Sequence, residues 1–404
     1  MRILLLLSLL IGFPALATDM YLPALPTLQK LWGVPMDVAN LTLGVFLVAN
    51  STMVLVYGPL SDRLGRKPVL FGGLIIFFLG TLSCSMAGSM TQLILSRALQ
   101  GLGAASATTL SFAITRDLYT GIERQRVLGY MGVIFALCPM LAPTVGGWML
   151  AFASWRFIFA VQMVLCGVAI IGVLRLTEPL KTTTTGGPLA VAKRYKVVLK
   201  NGHYISLTAI FTLMLVPLFT YIGCAAEIYI NGFDITAQMF GLHFGAISSG
   251  IMLGSMFSAR AAGRMRNGVM LAISLAGPLC SSLFLLLVGP SAPYQFTMTM
   301  FVCTFCLGLN RPISTNLILD AVDSDVGAAS SLMNFSYSTS GALFMTLIAQ
   351  DWGSKTTMLG GVMLCGSLLP ALALLWRVRR YGSIGRPRPV AEAESEAHAE
   401  AGAA

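Results

Sequence analysis

Two acids and two bases stand in stretches that are otherwise apolar enough to leave water. Arg97 interrupts the uncharged run from Leu93 to Phe112, and Asp19 falls in the first apolar run; Glu227 and Arg311 occupy two further runs in the second half of the chain. A guanidinium near the middle of a bilayer costs at least about 2.5–3.5 kcal/mol, so it is rarely kept for packing. An acid and a base on different helices can share a solvated chamber, where a carboxyl takes up or releases a proton as its surroundings change. That chemistry is proton exchange and ion pairing. Bond-breaking chemistry has no matching constellation: His203, His243 and His398 are scattered, and neither H-E-x-x-H nor G-x-S-x-G occurs. Solute movement is the leading reading, and a membrane enzyme or non-transporting receptor the remote one. His243 is the one histidine deep in a span, where a hydrogen-bonded packing role outweighs a proton relay.

The elements that must hold these residues are helices. Of 404 residues, 56% are hydrophobic and 10% charged, far below the roughly 25% charged of soluble domains. About 20 apolar residues span a bilayer as a helix. Runs of that length without alternation favour a helical bundle over a barrel. Apolar runs between polar breaks predict twelve spans: 3–26, 39–60, 68–88, 92–115, 127–150, 156–176, 203–231, 238–260, 268–288, 295–319, 327–350 and 355–376. The fold expected is an all-α membrane protein of twelve helices in two six-helix halves, 1–176 and 203–376. A polar stretch at 177–202, with Thr182–Thr185 and Gly186-Gly187-Pro188, reads as a cytoplasmic linker. The tail 377–404, with its Arg-Pro pairs followed by Glu and Ala, reads as disordered.

Basic residues set the expected orientation. With a cytoplasmic amino terminus, 21 of the 26 Lys and Arg fall inside and only Lys30, Arg156 and Lys355 outside, Arg97 and Arg311 being in the membrane. The net charge of +10 therefore reports topology and calls for no nucleic-acid partner. Both termini are expected in the cytoplasm of a bacterial-type inner membrane. Arg2, a Leu-rich core and Ala15-Leu16-Ala17 also fit a cleaved secretory signal, but cleavage would leave an odd number of spans and reverse the charge bias, so the segment reads as an uncleaved first helix. All eight cysteines fall in predicted spans, which indicates neither a disulfide framework nor, for the Cys303/Cys306 pair, a metal site. No cofactor is expected; a proton gradient is the energy source implied.

Between spans 2 and 3 stands Gly58-Pro59-Leu60-Ser61-Asp62-Arg63-Leu64-Gly65-Arg66-Lys67. Two glycines allow a tight reversal, and an acid among three cations can form a salt-bridged latch between helix ends. Gly58, Asp62, Arg63, Gly65, Arg66 and Lys67 thus form a candidate cytoplasmic gate. This loop resembles the G-x-L-x-D-R-x-G-R-[KR] signature of the major facilitator superfamily, and Ser258 to Arg266 is a worn copy lacking the acid. Arg97 with Gln100, Gly101, Gly103 and Ala104 resembles the R-x-x-Q-G-x-G-A pattern of the same family, whose arginine is linked to proton coupling. Ala142-Pro143-Thr144-Val145-Gly146-Gly147, with Gly129 and Gly132 before it, resembles the G-P-x-x-G-G motif of antiporters, with Ala142 in place of the leading glycine. Small residues there let helices approach closely and Pro143 bends one, with Gly241, Gly245, Gly250 and Gly254 of span 8 as the expected mates. Ala17-Thr18-Asp19-Met20-Tyr21-Leu22-Pro23 resembles the first-helix signature of the bicyclomycin-resistance (Bcr/CflA) drug:proton antiporters, as do Arg116-Asp117-Leu118-Tyr119 and Gly327-Ala328-Ala329-Ser330-Ser331-Leu332.

The resemblance implies proton-driven export of small, largely apolar molecules by alternating access, by a monomer in a lipid bilayer. Asp19 and Arg97, with Glu227 and Arg311 in the matching helices of the second half, are the expected proton-coupling groups. Tyr21, Asn50, Gln100 and Tyr229 are expected to line a permissive pocket. The alternative is a dedicated transporter of one metabolite, such as a nucleoside or sugar, with Glu227 and Arg311 as recognition groups.

Overall fold

A computed structural model describes residues 2–180, 188–262, 264–322 and 325–381. The fifteen α-helices are α1 (Arg2–Asp19), α2 (Leu25–Trp32), α3 (Met36–Leu64), α4 (Arg66–Ser85), α5 (Met90–Leu118), α6 (Gly121–Phe152), α7 (Arg156–Leu174), α8 (Pro188–Lys200), α9 (Gly202–Met214), α10 (Val216–Ala226), α11 (Ala237–Ala261), α12 (Asn267–Leu287), α13 (Pro293–Leu319), α14 (Val326–Ala349) and α15 (Lys355–Tyr381). The first span is broken: α1 gives way to a 3-10 turn at Leu22–Ala24 before α2. Span 7 is α9 and α10 continued by a π-helical turn, Glu227–Gly232.

Nine spans among the described residues are long and apolar enough to cross a membrane. The other three membrane-length helices, α5, α13 and α14, have 29, 27 and 24 residues, enough for about 36 Å or more at 1.5 Å per residue. They are less apolar because they carry Arg97, Arg311 and runs of Ser, Thr and Asn. Together these make the twelve expected spans, with α8 as a helix inside the stretch read as a linker. Residues 181–187 of that stretch and the tail beyond 381 lie outside the described residues.

The helices pack at small residues. A Cβ on Gly103 of α5 would strike the backbone of Phe77 in α4, and one on Gly101 would strike the Phe46 carbonyl of α3. Intramembrane prolines are tolerated because neighbours satisfy the carbonyl that each one frees. Pro312 leaves the Gly308 carbonyl of α13 without its helical donor, and the Ser255 hydroxyl of α11 supplies one at 3.0 Å. Pro59 does the same to Leu55 of α3, whose carbonyl accepts from Tyr195 of α8 at 2.8 Å.

Contacts between the two sets of six spans run mainly through α3 with α14 and α6 with α11. At the end away from the basic loops they are close. A Cβ on Gly147 of α6 would strike the Ala237 carbonyl, one on Gly241 would lie 2.5 Å from Thr144 Cα, and one on Gly44 would lie 3.2 Å from the Thr346 hydroxyl. Toward the basic end α6 stands apart: nothing lies within 4 Å of the Cβ position of Gly129 or Gly132, and Leu128, Tyr130, Val133 and Phe135 are exposed. The halves pack closely at one end, the closed end, and α6 stands free of its neighbours at the basic one.

Candidate functional site

The break in span 1 is the organising feature of the first six spans. Leaving the α-helical path after Asp19 strands the last carbonyls of α1, because Tyr21 N–H turns back to the Thr18 carbonyl instead of reaching Ala17. Two buried side chains take those carbonyls. Arg97 Nη1 donates to the Ala17 carbonyl at 3.0 Å, and Gln162 Nε2 of α7 donates to the Leu16 carbonyl at 3.2 Å. A cation at the negative end of a helix is also favoured by the aligned peptide dipoles. Arg97 continues to the Gln100 side-chain oxygen and to the Thr42 carbonyl. Gln100 Nε2 in turn donates to Thr81 and to Gln162, both at 2.9 Å. The Arg97 guanidinium lies over the rings of Tyr21 and Phe46, 4.9 and 4.5 Å from their centroids.

This corrects the expected partnership. Arg97 is wholly buried and pairs with carbonyls, an amide and two rings, while the Asp19 carboxyl makes its hydrogen bond to the Thr18 hydroxyl at 3.0 Å. No ion pair joins them among the described residues. Asp19 retains 8% exposure and neighbours Cys138 of α6. Tyr21 and Gln100, expected in the pocket, are buried in this network. Tyr229 is buried too, within a cluster of Phe233, Phe240, Phe296 and His243 at the closed end, its hydroxyl 2.6 Å from Thr297. His243 stacks on Tyr229 and bonds Thr297, the packing role expected. Of the four pocket residues only Asn50 is partly exposed, with its Oδ1 unpartnered.

The second half holds its two ionisable groups far apart. Glu227 sits at the closed end, 3.5 Å from Lys355 Nζ, which also donates to the Ala349 carbonyl at 2.9 Å. It therefore pins the π-helical end of span 7 to the start of α15 and does not meet Arg311. Arg311 lies eight residues before the end of α13, about 12 Å in by helical rise. Arg311 is exposed despite that depth, within electrostatic reach of Tyr337 of α14 and 6.0 Å from the Phe135 ring of α6.

The basic-end loop forms a salt-bridged cluster within the first six spans, wider than the loop itself. Arg66, 1% exposed, bonds Asp62 at 2.6 Å, Asp117 of α5 at 2.8 Å and the Ser61 hydroxyl at 2.6 Å. Gly65 turns the chain at φ +98°, a conformation suited to glycine. Glu178, after α7, accepts from the Arg66 and Lys67 amides at 2.9 and 3.0 Å and so caps α4. Lys67 Nζ donates to the Leu174 carbonyl at 2.9 Å, and Arg63 is exposed. Gly58 is only in ordinary contact, its Cβ position 3.9 Å from Thr109.

Of the small-residue set, Gly146, Gly147 and Pro143 lie in close packing: a Cβ on Gly146 would strike the Met20 carbonyl beside the helix break, and one on Gly241 would lie 2.7 Å from the Pro143 carbonyl. Gly129 and Gly132 are in open space, because α6 has diverged there. Gly245 meets α6 at the Met140 carbonyl, whereas Gly250 and Gly254 pack on α13, so only half of the expected stripe mates with α6. A cleft of about 330 Å³ between Thr144, Trp148, Phe152 and Phe157 is apolar and opens on the outer flank of α6 and α7, away from the ionisable groups.

Twelve spans with a broken first helix and charged side chains held inside the bundle are the architecture of a membrane transporter. The chain belongs to the Major Facilitator Superfamily, whose model matches residues 7–345. It is 27% identical over 377 residues to an uncharacterized MFS-type transporter, YdgK, of Bacillus subtilis (strain 168), covering 91% of this chain and 93% of that one. It is 27% identical over 366 residues to the multidrug resistance protein MdtL of Klebsiella pneumoniae (strain 342), covering 90% and 85%. Among solved structures, the partially occluded inward open conformation of the xylose transporter XylE from E. coli superposes with a TM-score of 0.71 at 14% identity, covering 93% of this chain and 97% of that one.

Proposed function

We propose that this protein is a proton-coupled antiporter of the bacterial inner membrane that exports small organic molecules by alternating access. The observation that carries the reading is Asp19: a nearly buried carboxyl at the broken point of a membrane helix, with no ion-pair partner among the described residues. Burial favours the neutral acid and hydration the charged one, so two conformations that differ in access to Asp19 differ in proton affinity. The close contact of Gly146 with the Met20 carbonyl, one residue from Asp19, links that break to the α6/α11 crossing between the halves. The likeness to MdtL supports drug-like cargo, and the first-helix motif supports the Bcr/CflA subgroup.

In this reading residues 1–176 and 203–376 are the moving halves and 177–202 the tether. The basic end is cytoplasmic, so the close packing of the halves falls on the outer side. Arg97 acts by holding the broken helix. Glu227 acts at the outer closure, and Asp62, Arg66 and Lys67 act at the inner one. Transport of candidate drugs into proteoliposomes under an imposed pH gradient tests the coupling. Asp19→Asn is expected to abolish gradient-driven accumulation while leaving gradient-independent exchange; gradient-driven accumulation equal to wild type would eliminate Asp19 as the coupling group.

A further inference from the structure

We propose that Arg311 forms a subsite for an anionic group of the transported molecule, so that this protein takes amphiphilic organic anions carrying a carboxylate or a similar oxyanion. The inference rests on the transporter reading and adds the class of cargo. Three observations support it. First, Arg311 lies about 12 Å inside the membrane span yet is exposed, so it borders open space between the helices. Second, its guanidinium has no hydrogen bond or ion pair to any described residue, and the acids within the spans are held elsewhere, Asp19 at the break of span 1 and Glu227 by Lys355 at the far end. Third, its surroundings include aromatic side chains from opposite halves: the Phe135 ring of α6 lies 6.0 Å from the guanidinium, and Tyr337 of α14 lies within its electrostatic reach.

A guanidinium at that depth is kept where it faces a water-filled cavity, and there it is open to an anion. Its fork matches a carboxylate in a two-point contact. The flanking rings offer an apolar wall to the body of the same molecule, a combination that selects a charged head on an aromatic or aliphatic frame. Because Arg311 and Phe135 belong to different halves, a molecule seated on both bridges the two lobes. A bulky cation lacking an acid group would meet repulsion at the same place.

The test uses a matched probe pair, dansylglycine and dansylglycinamide, which differ in the carboxylate. Binding to the full chain is read by dansyl fluorescence, in detergent and in nanodiscs of neutral lipid, with no proton gradient. Wild type is expected to bind the carboxylate at least about tenfold more tightly than the amide, the size of one charge-assisted hydrogen bond. Arg311→Gln is expected to erase that preference while keeping affinity for the amide, and Arg311→Lys to keep part of it. Equal affinity of wild type for the two probes, or a preference that survives in Arg311→Gln, overturns the subsite. Should Arg311→Gln fail to fold, the wild-type comparison and Arg311→Lys still decide. Flux of the same probes in proteoliposomes separates the two levels: an Arg311-dependent preference without flux defeats transport and leaves the subsite, whereas flux indifferent to the carboxylate defeats the subsite and leaves transport.

Discussion

Arg97 of α5 donates to the backbone carbonyl of Ala17 in α1 at 3.0 Å, where the first helix breaks. The contact makes the break a built feature, since it gives the Ala17 carbonyl a buried donor where the helix no longer supplies one. Replacing Arg97 by Met removes the donors to Ala17 and Gln100 and the cation over Tyr21 and Phe46. Each unsatisfied buried group costs about 1–3 kcal/mol. Thermal unfolding in detergent is expected at a clearly lower temperature for Arg97→Met, and also for Arg97→Lys, which cannot fork between Ala17 and Gln100. A melting point equal to wild type for both would show that the break stands without its cap.

Gln162→Leu isolates the neighbouring contact. It removes the donor to the Leu16 carbonyl and the acceptor for Gln100, a loss on the order of 1–3 kcal/mol. The change leaves Asp19 in place, so proton coupling should persist in whatever protein folds. Expression, melting temperature and gradient-driven transport, measured on one preparation, distinguish a stability defect from a coupling defect.

Gly146→Ala and Gly129→Ala should behave oppositely. A methyl at Gly146 meets the Met20 carbonyl, whereas one at Gly129 meets nothing within 4 Å. Gly146→Ala is therefore expected to open the closed end and raise labelling of an engineered cysteine at position 238, with transport lost. Gly129→Ala should leave the closed end as it is. Equal labelling in the two variants would refute the close approach.

At the basic end, Arg66→Gln leaves Asp117 and Asp62 without their shared cation. Removing one member of a buried pair typically costs about 3–5 kcal/mol, and Asp62, being 34% exposed, recovers part of that from water. The expected result is lower melting temperature and loss of transport, and Arg66→Lys should not restore either, because one ammonium cannot serve Asp62, Asp117 and Ser61 together.

Tyr195 and Pro59 make a coupled pair through the Leu55 carbonyl. Tyr195→Phe should destabilise by about 1 kcal/mol in the natural sequence, where Pro59 can offer no amide. In a Pro59→Ala background the helix supplies its own donor, and Tyr195→Phe should become nearly neutral. Additive effects in this double-mutant cycle would sever the proposed link between α8 and α3.

Nine of the twelve spans were legible from hydrophobic length alone, and α5, α13 and α14 from the length of chain between polar breaks. The salt-bridged cluster was legible in part: Asp62 and Arg66 lie four apart on the chain, but Glu178 caps α4 from 112 residues away and nothing local announces it. Charges within the membrane marked Arg97 and Asp19 as important without saying how they are satisfied. The expected acid-base pair gave way to backbone carbonyls, because a break at residues 20–24, which carry Pro23, exposes acceptors that a continuous helix would have hidden. Gln162 and Thr81 were missed for the same reason: polar residues in apolar runs take meaning from the partner across the bundle. Tyr229 was misjudged because an aromatic with a hydroxyl suits a pocket rim and a dry cluster equally well.

The three helices too polar to count as spans by composition have a consequence for biogenesis. A segment such as α5 partitions poorly from a translocon into lipid when it emerges alone, and α13 and α14 do so in succession. Their entry then depends on earlier neighbours waiting at the exit, α3 and α4 for the first, α11 and α12 for α13, and α3 and α10 for α14. Weakening the Gly80 and Gly103 seam between α4 and α5 should therefore leave α5 stranded outside the bilayer during synthesis, so that some defects blamed on transport would originate on the ribosome.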